Sequence, residues 1–108
     1  MEEEIKNLTT EKGKPALYIL RLPSVVINDI KYNFIYKFGI TSDISGRLTT
    51  HLRNLHFVEI VCLIYFEDIK TAAVIETKIK RLAESINERR NILGNTEIIE
   101  TTALYKYI

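Results

Sequence analysis

IYKFGITSDISGRLTTHLRNL, residues 35–55, decides how the chain is read. It breaks into a strand that stops at Gly39, a short polar turn and a helix from about Asp43 to Asn54. Thr41, Ser42 and Asp43 carry oxygens able to cap the first free amides of that helix. Ile44, Leu48, Leu52 and Leu55 follow at spacings of four, four and three and make one apolar stripe. Arg47 and His51 stand four apart beside it and share a helical face. Two basic groups next to a glycine-ended strand offer a place for a phosphate. The competing reading is a solvated helix flank, because exposed charges are the rule. Gly46 weakens the helix by up to ~1 kcal/mol relative to alanine and lets another group approach the backbone.

The strand of this stretch extends back to Tyr32. Phe34, Tyr36 and Phe38 alternate with Asn33, Ile35, Lys37 and Gly39, so one side is aromatic and the other carries Lys37 and Gly39. Lys37 at such a position commonly faces solvent. Further upstream, ALYILRL at 16–22 reads as the first strand, with Tyr18, Leu20 and Leu22 on one face and Leu17, Ile19 and Arg21 on the other. Pro23 ends it. Ser24 to Lys31, with its Asn28-Asp29 turn signal, is too long for a tight hairpin and reads as an elongated hairpin or flap. Residues 1–15 form a polar lead-in, loose or partly helical, and residues 16–108 a single domain.

Downstream, VEIVCLIYF at 58–66 is the most apolar run and suggests a central strand buried on both faces. Asp68 to Thr71 supplies a cap for the longest helix, Ala72 to Arg90, with Ile75, Ile79, Leu82 and Ile86 as its core stripe. Gly94-Asn95 closes this region. Thr96 to Ile108 reads as a strand with an apolar tail that packs back or meets a partner. The expected fold is α+β: a small, mostly antiparallel sheet of three or four strands packed with two or three helices.

The chain has 108 residues, 46% of them apolar and 27% charged, enough for a real core. A net charge of +1 provides no global field toward nucleic acid or membrane, so any phosphate-binding surface must be local. The single cysteine, Cys62, excludes an internal disulfide framework, and its apolar strand argues for an inert thiol. No stretch reaches the length of a transmembrane span, and the start lacks a basic-then-apolar signal pattern. The expected setting is intracellular, in the cytoplasm or nucleus of a host cell.

Glu76 is the informative carboxylate. Its helical neighbours are Ala72, Ala73, Ile79 and Lys80, so it borders an apolar face where an unpaired charge is costly. It reaches water, pairs with a cation or binds a metal; a structural ion pair is the bland alternative. Tyr18 alone is an ordinary half-buried aromatic, and His51 alone an ordinary surface histidine. There is no glycine-rich phosphate loop and no zinc spacing.

Taken together, ALY at 16–18, YKFG at 36–39, Arg47 eight residues after Gly39 and Glu76 on a later helix resemble the GIY-YIG nuclease superfamily. The YKFGIT form with Thr96-Glu97 is similar to its phage and large-virus branch. The resemblance covers about residues 16–101 and implies metal-dependent hydrolysis of DNA phosphodiesters. It implies Tyr18 as base or water activator with Lys37 beside it, Arg47 as the phosphate stabiliser and His51 as the group one turn later. It implies Glu76 as ligand of a single Mg²⁺, with Mn²⁺ as a substitute. Lys37, Arg47, Arg53 and Lys80 would contact DNA. The family's late asparagine corresponds to Asn87, Asn91 or Asn95, with Asn91 preferred for its distance after Glu76. Three departures stand out: Ala16 replaces the family's first glycine, Lys37 stands where many members carry a second tyrosine, and the first hairpin is long. The alternative is a non-catalytic nucleic-acid-binding or assembly module using Arg47, Arg53, Lys78, Lys80 and Arg81. Cleavage of both strands requires a homodimer or two successive binding events, and the apolar tail at 103–108 is the hint of a dimer.

Overall fold

The computed structural model describes Ile5 and residues 14–108. Most of the expected lead-in therefore lies outside the described residues, although Ile5 itself is buried in the core. The elements run β1 (Ala16–Arg21), β2 (Val25–Ile27), β3 (Ile30–Tyr32), β4 (Ile35–Thr41), α1 (Ile44–Leu55), β5 (Glu59–Tyr65), α2 (Ile69–Ser85), β6 (Arg89–Ile92) and β7 (Asn95–Glu100). A short 3₁₀ turn, Leu104–Tyr107, follows. Five strands form one sheet in the order β5-β1-β4-β7-β6, and β2 and β3 pair separately. All pairings are antiparallel. This is the expected α+β fold, with more strands than expected.

The alternation read in β1 holds. Tyr18, Leu20 and Leu22 join Ile35, Ile44, Leu48 and Ile98 under α1, whereas Leu17 and Ile19 join Phe38, Ile79, Ala83 and Ile99 under α2. The two helices thus cover opposite faces, and β1, paired on both edges, is the buried strand. The apolar run at β5 is instead an edge strand beside β1 and only half-buried. Apolar composition reports what lies above and below a strand, and says nothing of a missing neighbour on its edge.

Three further boundaries differ. Phe34 leaves the expected aromatic face: it sits at φ +54°, 58% exposed, where its carbonyl accepts from the Thr101 N–H at 3.0 Å and the strand is interrupted. Residues 24–32 form a small inserted hairpin whose central pair, Asn28 and Asp29, both adopt positive φ, as the twist of a two-residue connection requires. The long helix stops at Ser85 rather than Arg90. Asn87 turns left-handed, the Asn87 N–H reaches the Glu84 carbonyl at 3.2 Å and the Glu88 N–H reaches the Ala83 carbonyl at 2.8 Å. This double bond pattern closes a helix and frees 89–92 to become β6. Ile86, expected in the core, is exposed at that cap. The tail packs back: Leu104 and Tyr107 lie against the second core, and Tyr107 Oη donates to Glu88 Oε1 at 2.7 Å.

α1 starts where Asp43 caps it, its carboxylate accepting from the Gly46 N–H at 3.1 Å. A Cβ on Gly46 would stand 3.0 Å from the Asp43 Cγ, so the group that this glycine admits is the cap itself. Asp43→Ala is expected to cost about 1 kcal/mol in urea denaturation. Gly46→Ala is expected to yield its usual helix-propensity gain only in the Asp43→Ala background, because the added methyl displaces the cap. Equal gains in both backgrounds would contradict this.

Candidate functional site

Gly39 lies opposite Tyr18 in the β1–β4 register. A Cβ there would come within 2.7 Å of the Tyr18 Cζ and nearer still to Oη. The phenol therefore crosses the β4 backbone at a position open only to glycine. On the far side, the β4–β7 ladder pairs Ile35–Lys37 with Ile98–Glu100 and goes no further. Beyond Lys37 the sheet opens, and groups from its two faces meet.

α1 brings Arg47 and His51 to this opening. Tyr18 Oη lies 2.8 Å from His51 Nε2, and the rings are tilted by 48° with centroids 5.5 Å apart. The Arg47 guanidinium acts on the same phenol, its positive charge favouring the ionised form. Burial pushes the Tyr18 hydroxyl up to about 12, Arg47 opposing and the charges of Glu97 and Glu76 adding to the rise. Burial, then the charges of Lys37 and Arg47, pull His51 down to about 4 against the attraction of Glu97. Both groups are neutral at pH 7. With both groups neutral, the bond between them runs from Oη–H to Nε2 when the imidazole proton sits on Nδ1.

Lys37 is not solvent-facing. It is 7% exposed and forms an ion pair with Glu97 at 3.6 Å. Burial lowers its pKa, while Glu97 and Glu76 hold it up. Glu76 completes the stripe of buried Ala72, Ile79 and Ala83 on α2, so its carboxylate faces the sheet. Its side chain is 14% exposed and meets Lys80 at 3.4 Å. Its charge acts on both Tyr18 and Lys37.

Five of the residues picked from the sequence, Tyr18, Lys37, Arg47, His51 and Glu76, thus form one electrostatically connected group drawn from β1, β4, α1 and α2. Asn91 does not join it. It is exposed on the outer strand β6, at the register shift between Arg90 and Ile92. Asn87 is spent on the helix cap. Asn95 is the asparagine tied to the site, its Oδ1 accepting from the Glu97 N–H at 3.2 Å. Arg53 is exposed in the last turn of α1, six residues from Arg47 and so turned to another side of the helix. Lys78 and Arg81 border a shallow hollow on α2 with Val74 and Thr77. The basic residues suggested as one patch are divided between helices on opposite faces of the sheet.

Glu97 is the group that sequence reasoning passed over. Thr96-Glu97 was noticeable as a pair, but nothing local says that β7 leaves the ladder just there and hands this carboxylate to Lys37. Among the described residues, no three His, Cys, Asp or Glu side chains are grouped to hold a metal ion. The carboxylates in the group, Glu76 and Glu97, each rest against a lysine. No helix among the described residues is long and apolar enough to cross a membrane.

Chemically, the assembly offers an exposed guanidinium for an oxyanion, a neutral phenol–imidazole pair for moving a proton, and a partly buried carboxylate. No family model, curated protein or solved structure matches the chain.

The His51 environment carries a pH dependence. Its native pKa lies below the unfolded value of about 6.5, so the unfolded chain binds the extra proton first as pH falls. Its contribution to stability is complete above pH ~6.5 and is lost as pH falls through about 4. Urea midpoints between pH 7 and 4 are expected to drop more for the wild type than for His51→Gln. Parallel curves would refute the assignment.

Proposed function

We propose that this domain hydrolyses DNA phosphodiester bonds in the manner of the GIY-YIG nucleases it resembles. The observation that carries the reading is the 2.8 Å Tyr18–His51 bond, on whose phenol the charges of Arg47 and Glu76, from two other stretches of chain, both act. Arg47, the exposed member, receives the phosphate, and its planar donors match phosphoryl oxygens on which charge grows during in-line attack. Lys37, on the floor, adds a second fixed positive charge. The gap between about 12 for Tyr18 and about 4 for His51 keeps the proton on the phenol at rest. A phosphate against Arg47 brings negative charge beside His51 and favours its protonation, which narrows that gap. Tyr18 then accepts a proton from the attacking water as it passes its own to Nε2.

The residues fit a magnesium site of the sparse kind. Glu76 would be the protein ligand, with substrate phosphate and waters taking the other positions. Its competitor, Lys80, is partly exposed and free to turn to solvent. When bound, Mg²⁺, or Mn²⁺ in its place, would supply charge stabilisation at the phosphoryl and leaving oxygens.

A second reading, DNA binding without cleavage, draws on two observations: Tyr18 is 1% exposed, and Lys37 is engaged by Glu97. The test for both is Mg²⁺- or Mn²⁺-dependent cutting of plasmid, branched and single-stranded DNA by the wild type, Arg47→Ala and Glu76→Ala. Cutting lost in both variants supports the nuclease. Binding without cutting in the wild type supports the second reading, and cutting that survives both substitutions overturns the site.

A further inference from the structure

A pocket of about 430 Å³ lies between the end of α1, the root of the β2–β3 hairpin and the β6–β7 turn. Its floor is Leu22, Ile35 and Ile98, and Asn54 and Asn95 stand at its mouth. We infer that it takes an unstacked nucleobase, that of the nucleotide adjoining the phosphate at Arg47. The inference rests on the reading that Arg47 holds phosphate, and it names the substrate as single-stranded or locally unpaired DNA.

Register places the pocket directly beside the site. On β4, Ile35 comes two residues before Lys37 and points to the same face, about 7 Å along the strand. Ile98 is the cross-strand partner of Lys37. On α1, Asn54 and Leu55 follow His51 by three and four residues, one turn or about 5 Å further on the same side. Both elements that frame the reactive group therefore run on into the pocket, whose Asn54 follows Arg47 by seven residues, about 10 Å along α1.

The lining divides the ligand. No lysine, arginine, aspartate or glutamate contributes to the pocket, so its mostly apolar lining suits an apolar ring better than a phosphate. Its size is that of small-ligand sites. Its polar residues are Ser24, His56 and the carboxamides of Asn54 and Asn95, side chains whose donors and acceptors match base edges. Asn95 uses its Oδ1 on the Glu97 N–H, which leaves its amide hydrogens for a ligand and couples the pocket to the carboxylate on Lys37. A base reaches such a pocket only after leaving its stack, at a cost smallest where it is already unpaired.

The test compares strands with equal phosphates. A fluorescent strand of about eight thymidines, a length suited to a small binding fold, is titrated in EDTA against an abasic strand of the same length. The thymidine strand is expected to bind about tenfold more tightly, the worth of one well-held base. Asn54→Trp, which sets a bulky ring at the mouth from an exposed position, is expected to abolish that preference and leave the abasic affinity in place. Circular dichroism checks its fold. Arg47→Ala is expected to weaken both strands. Equal affinity for the two strands in the wild type, no binding of either, or a preference untouched by Asn54→Trp would overturn the pocket assignment. Cutting activity with no base preference removes the pocket alone. Base preference without cutting keeps the pocket and removes the nuclease.

Discussion

An Arg47→Ala variant is expected to unfold at the wild-type urea concentration and to cut DNA about 10²–10³-fold more slowly, the usual cost of deleting one preorganised donor to a developing oxyanion. Arg47 is exposed on α1 and its stripe neighbours Ile44 and Leu48 carry the packing, so the fold does not need it. Tyr18 keeps His51 as its partner when Arg47 is gone. Arg47→Lys is expected to restore little, because one ammonium does not reproduce a two-pronged contact. Glu76→Ala sharpens the test through opposite signs. Alanine fits the stripe made by Ala72, Ile79 and Ala83, and Lys80 is free to turn to water, so stability is expected to stay within about 1 kcal/mol of the wild type or to rise. Cleavage is expected to fall on the order of a hundredfold or more, the scale of losing a metal's charge stabilisation. A merely structural Glu76 would give the reverse: a less stable protein with its activity intact.

Gly39→Ala is expected to damage fold and site together. The new methyl would press on the Tyr18 ring, which is buried between two paired strands and has nowhere to move. Overpacking of this kind costs about 1–3 kcal/mol. The ring's displacement would break the 2.8 Å bond to His51 and open the imidazole to water, which relieves the burial that holds it down and lets it titrate nearer its ordinary value. Urea denaturation reads the first effect and NMR titration of the His51 ring the second. A stable variant with an unshifted histidine would mean that the phenol does not cross Gly39.

Much of this arrangement was legible because it is local. The face of Tyr18, the stripe of α1, the pairing of Arg47 with His51 and the sheet-facing place of Glu76 all follow from periods of two and 3.6 residues. What escaped reading depends on neighbours remote in the chain. The β5 run is apolar because both its faces are partly covered, yet its outer edge is bare. Asn87 stops α2 by a backbone twist that composition only hints at, and so Arg89 and Arg90, the start of β6, read as helix. The burial of Lys37 and the part played by Glu97 both arise from where β7 parts from β4, a choice that neither strand's own residues reveal.

That parting divides the sheet into two blocks, β5-β1-β4 and β7-β6, joined along a seam of three residue pairs with no tight turn to tether it. The reactive groups straddle the seam, with Tyr18 and Lys37 on one block and Glu97 on the other. Warming loosens short, untethered ladders before long ones. The alignment of these groups is therefore expected to be more heat-sensitive than the fold that supports it.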